Sequence, residues 1–122
     1  MKICISADDK NIEASVDERF GRCKYFLIIE TETMDFDAIS NESLMASGGA
    51  GIQAAQSVAN QNVEFVLTKN IGPNAFRTLE AAGIKVISGI DGNVKDVIEK
   101  FKTGNLKETN NPSVNSHFGM NK

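Results

Sequence analysis

The segment from Ser15 to Phe26 gathers the residue types best suited to hold an anion or a soft metal. Arg19, Arg22 and Lys24 stand close together in a chain with few other basic clusters. Cys23 lies between Arg22 and Lys24, and cationic neighbours favour the thiolate, the metal-binding form of cysteine. Gly21 allows backbone to approach a ligand closely, and Phe20 is an apolar residue in a polar stretch. A plainer reading stands beside this one. Cys23 is then a small buried hydrophobe at the start of a strand, and Phe20 a plug on the core. Cys4 falls in the middle of an apolar run and reads as core.

Three glycine-containing segments, Ser47–Gly51, Asn70–Asn74 and Gly89–Asn93, each fall directly before a helical pattern. Helix N-termini carry unpaired N–H groups and partial positive charge. Two or three of them converging would make an anion cup, with Gly49, Gly51, Asn70, Gly72 and Asn74 at its rim. Such a cup would take a small anion at the amides of Gly49–Gly51 or Gly72–Asn74. Segments lying on opposite edges of the sheet would contradict it. The alternative is that the glycines only permit tight turns, since none of the three segments is a Walker motif or a G-x-G-x-x-G fingerprint.

Other chemistries lack actors. Asp8 and Asp9 follow the first strand, and Glu30 and Glu64 fall at strand ends, too scattered for a two-metal nuclease centre. The single histidine, His117, lies near the C-terminus, so no Ser/His/Asp set can form. His117 and Met120 are acceptable metal ligands, but two residues do not make a site. Their plainer reading is an exposed tail.

The elements that must position these residues read in the order β-β-β-α-β-α-β-α. Residues 2–6 and 24–30 are strands, the second apolar on both faces and so covered on both. Residues 7–22 read as a polar loop, and 36–42 as an edge strand paired by a hairpin. Helical spacing then appears at Ile52, Ala55, Val58 and Ala59, at Phe76, Leu79 and Ala82, and at Val94, Val97, Ile98 and Phe101. Short apolar runs at 64–68 and 84–88 are strands between them. The expected architecture is α/β: a ribonuclease-H-like, mixed five-stranded sheet with helices on both faces. The domain spans 1–104, and 105–122, rich in Asn and Ser, reads as a flexible polar tail.

The chain has 122 residues, 41% of them hydrophobic, which suits one domain with a real core. Its net charge of -3 argues against general capture of nucleic acid. No apolar run approaches a membrane span, and no secretory signal is visible. Two cysteines are too few for a disulfide scaffold, so the expected compartment is the cytoplasm.

Five segments occur in a specific order: Met1–Ser6, Arg19-Phe-Gly-Arg-Cys-Lys-Tyr-Phe-Leu-Ile-Ile29, Gly48–Gly51, Asn70-Ile-Gly-Pro-Asn-Ala-Phe76 and Gly83–Val86. In this the chain resembles small stand-alone members of the dinitrogenase iron–molybdenum cofactor biosynthesis family, of the NifX/NifB C-terminal type, over residues 1–106. The resemblance implies a ribonuclease-H-like fold without nuclease activity. It implies a non-enzymatic carrier for an iron–molybdenum or iron–sulfur cluster, or a molybdenum–copper–sulfide cluster as in the orange-protein type. Its partners would be the proteins that donate or accept that cluster. Members often carry His-Phe-Gly in the loop, the histidine being implicated as a cluster ligand. Here that position is Arg19, which can pair with an anionic cluster but not ligate it. The substitution motivates a second reading, a regulatory or protein-interaction module that has lost cofactor binding.

Overall fold

The computed structural model describes residues 1–42 and 49–112. Five strands, β1 (Lys2–Ala7), β2 (Tyr25–Glu30), β3 (Phe36–Ser40), β4 (Phe65–Leu67) and β5 (Lys85–Ile87), form one sheet in the order β3-β2-β1-β4-β5. β1 runs antiparallel to β2 and parallel to β4, and β5 is parallel to β4. Three helices, α1 (Ala50–Ala59), α2 (Pro73–Ala81) and α3 (Val94–Lys102), complete the expected element order.

Alternation along the strands divides the core in two. Cys4, Phe26, Ile28, Val66 and Val86 face α1 and α2. Ile3, Ile5, Leu27, Ile29, Leu67 and Ile87 face α3. β2 is therefore covered on both faces, as its continuous apolar run requires. β3 forms one edge, its residues mostly exposed.

α3 follows its sequence pattern closely. Asn93 caps it, its side chain accepting from Lys95 N at 2.8 Å, and Val94, Val97 and Ile98 are buried. α1 departs from expectation. Its buried residues are Ala50, Ala54, Ala55 and Val58, while Ile52 is exposed. The helix lies close against α2, and close approach selects small residues for the contact face. An added Cβ on Gly51 would sit 3.3 Å from the Ala75 Cβ. Ala82, expected on the buried face of α2, is exposed at its C-cap.

The stretch 7–22 is more tightly built than its polarity suggests. Isolated bridges pair Ala7 with Val16, Ser15 with Asn93, and Arg19 with Asn70. Ala14, Val16 and Phe20 are buried. Beyond α3, Leu106 packs on the α3-side core, and Thr109 N donates to Val86 O at 2.6 Å. Thr109 Oγ1 also accepts from Ser88 N at 2.8 Å, so the start of the expected tail lies along β5. His117 and Met120 lie outside the described residues, as do Ser47 and Gly48.

Candidate functional site

The site forms where the chain leaves the sheet in two directions. From the carboxyl end of β1 it passes to β2 on one side, and from the parallel β4 through α2 to β5 on the other. Such a divergence leaves a crevice outside the strand ends, a usual place for ligands in open α/β sheets. Just beneath it the Ser6 and Thr68 hydroxyls share a buried hydrogen bond of 2.8 Å.

Three of the singled-out segments meet at this edge. A Cβ on Gly21 would sit 3.1 Å from the Gly51 Cα and 3.2 Å from its N, so any side chain there would press the loop and the first turn of α1 apart. Gly51 in turn packs on Ala75 in the first turn of α2. Phe20 N donates to Asn70 O at 3.0 Å, tying the loop to the entry of α2. Arg19, Phe20, Gly21, Arg22, Gly49, Gly51, Asn70, Gly72 and Asn74 thus belong to one neighbourhood. The remaining glycine segment does not join it. Gly89–Asn93 leads into α3, on the opposite face of the sheet.

The two helix ends differ from the third in charge as well as place. Gly49 and Gly72 are the N-caps of α1 and α2 and have no side chain with which to cap. Gly49 adopts φ 71°, the left-handed region that favours glycine. Neither helix has an acidic residue in its first turn. α3 has both its Asn93 cap and Asp96. The partial positive charge of α1 and α2 is therefore left without a carboxylate of their own first turns. Arg19 and Arg22 are half-buried in the loop whose backbone meets α1 at Gly51 and the entry of α2 at Asn70. Among the described residues Arg19 makes no ion pair. Asp17 also belongs here, its Oδ1 accepting from Arg19 N at 3.2 Å.

Several side chains have other work than contacting a ligand. Phe20 is 1% exposed and packs against Phe26 with tilted rings, 5.1 Å between ring centres, so it is the core plug of the plainer reading. Cys23 is fully buried in the same cluster as Cys4. Burial, then the charge of Asp17, pushes its thiol well up, opposite to the effect expected from Arg22 and Lys24. Those neighbours in sequence do not offset the removal of sulfur from water. The Asn70 Nδ2 donates to Glu18 O at 3.1 Å, and Asn74 Oδ1 accepts from Arg77 at 2.8 Å. Asn41 was not anticipated. Its buried carboxamide donates to the carbonyls of Gly21 and Cys23, and nothing local in the sequence marks that contact.

The donor set is poor for direct coordination. Among the described residues no group of three or more His, Cys, Asp or Glu could hold a metal ion. A shallow depression at the start of β1, lined by Lys2, Glu30, Asp35, Asp37 and two apolar residues, is dominated by carboxylates and does not suit an anion. No helix among the described residues is long and apolar enough to cross a membrane.

The profile of the dinitrogenase iron–molybdenum cofactor family matches residues 1–104, and the chain belongs to that family. It is similar to the apo orange protein of Desulfovibrio gigas, with 35% identity and a TM-score of 0.90 over 93% of this chain and 96% of that one. A Thermotoga protein provisionally described as NifB matches with 34% identity and a TM-score of 0.76, over 88% and 91% of the two chains. An uncharacterised protein of Methanocaldococcus jannaschii is 29% identical over 88% of this chain and 91% of its own length.

Proposed function

We propose that this protein is a non-enzymatic carrier that binds an anionic metal–sulfur cluster, or its precursor, as cargo. The observation that carries this reading is the meeting of two helix N-termini without side-chain caps, at Gly49 and Gly72, with the Arg19–Arg22 loop. The cargo is held by charge and backbone amides rather than by protein ligands. Amides of the first turns of α1 and α2 donate to its sulfides, and the Arg19 guanidinium adds a full positive charge. The membership of the family and the similarity to the orange protein support a metal–sulfur cargo over a simple phosphate. Iron–molybdenum, iron–sulfur and molybdenum–copper–sulfide clusters all share the required negative charge. The mixed sheet, with β2 antiparallel between β3 and β1, supports a ribonuclease-H-like label for a scaffold put to carriage.

A second reading is favoured by the poor ligand set: an interaction module on the same fold that no longer binds a cluster. Anaerobic titration of the purified protein separates the two. Tetrathiomolybdate or a reconstituted iron–sulfur cluster is added, the excess removed, and metal content and visible spectrum recorded. The carrier takes up one of them stoichiometrically. No retention of either supports the interaction module.

A further inference from the structure

The loop that brings Arg19 to the two helix ends has to be fixed relative to both. Two asparagines hold it. Asn41, just past β3, is 7% exposed, and its Nδ2 donates to Gly21 O at 3.1 Å and to Cys23 O at 2.9 Å. Its main-chain N donates to Lys24 O at 3.0 Å. Asn70, just past β4, accepts from Phe20 N through its main-chain oxygen and donates from Nδ2 to Glu18 O at 3.1 Å. Asn41 directly follows β3, and Asn70 stands in the connection that enters α2. The loop is thus gripped at residues 18–20 from the entry of α2 and at 21–24 from the end of β3, and between them Gly21 rests on Gly51 of α1. One carboxamide N–H₂ serves two carbonyls at Asn41, a task that an aspartate carboxylate, having only acceptors, cannot perform.

We propose that Asn41 and Asn70 are positioning residues for the anion site, holding the Arg19–Cys23 loop so that Arg19 faces the bare N-termini of α1 and α2. This rests on the carrier reading above. The side chain of Asn70 acts through the loop and not on the cargo.

The test is a set of double-mutant cycles, with tetrathiomolybdate as the probe and affinity read from its visible absorption. Asn41→Ala and Asn70→Ala are each expected to weaken binding about tenfold, as loss of a supporting hydrogen bond does at metal sites. Combined with Arg19→Ala, each loses less than the product of the single effects, because the group being positioned is already gone. A role in stability alone predicts unchanged affinity well below the melting temperature, or effects that multiply independently, and either outcome overturns the proposal. Alkylation of Cys23 gives a readout free of cargo, and Asn41→Ala is expected to speed it. If Asn41→Ala does not fold, Asn70→Ala carries the test, its side-chain bond being exposed. Wild-type protein that retains neither tetrathiomolybdate nor a reconstituted iron–sulfur cluster overturns the carrier reading and this proposal with it. Wild-type binding matched by both asparagine variants overturns this proposal alone.

Discussion

The thiols of Cys4 and Cys23 lie in one apolar cluster between the sheet and the α1/α2 layer, and burial raises both. A thiol kept neutral and out of water is a slow nucleophile. Both cysteines are therefore expected to resist alkylation in the native protein and to label at once on denaturation. Fast native labelling of Cys23 would show that its loop opens readily and restore it as a ligand. The pH dependence has a definite sign. Below about pH 9 the thiols are protonated in both states, and above it the unfolded chain releases protons that the folded chain retains. Stability is then lost as pH rises, and Cys23→Ser should flatten that loss if it folds. At this scale the sequence was only partly legible. Arg22 and Lys24 beside Cys23 suggested a reactive sulfur, but adjacency in the chain does not reveal which side of the sheet an atom faces. Asn41 gave no signal because its partners are about twenty residues away.

Among the elements, the contact between the 19–23 loop and α1 is the most demanding. At Gly21 a methyl group would meet backbone atoms of Gly51, which cannot turn aside as a side chain can. Gly21→Ala is expected to cost about 1–3 kcal/mol, the usual range for overpacking. Denaturant unfolding measures it, and a change under half of that would mean that the loop yields. The same variant should weaken cargo binding, since it pushes the loop that carries Arg19 away from α1. The eight elements were readable because each carries its own period and stops. At the end of α2, for instance, Gly83 N donates to Glu80 O and Ile84 N to Leu79 O, and at the end of α3 Gly104 N donates to Phe101 O and Asn105 N to Lys100 O. The buried face of α1 was not readable. Periodicity weights Ile52 above alanine, whereas the packing of α1 on α2 rewards the smallest residues.

For the molecule as a whole, an acidic chain of net charge -3 can still present one electropositive corner. The sheet order sends the chain from the neighbouring strands β1 and β4 to opposite sides, opens a crevice beyond their ends, and sets α1 and α2 together on the same face. The measurement that reaches this claim most directly is a titration of ¹⁵N-labelled protein with tetrathiomolybdate, followed by amide chemical shifts without oxygen. The largest changes are expected at Ala50, Gly51, Asn74, Ala75 and Arg19–Gly21, with the capped first turn of α3 at Val94–Asp96 unmoved. Changes centred on α3 or on the β3 edge, or none at a large excess of the anion, would contradict the account.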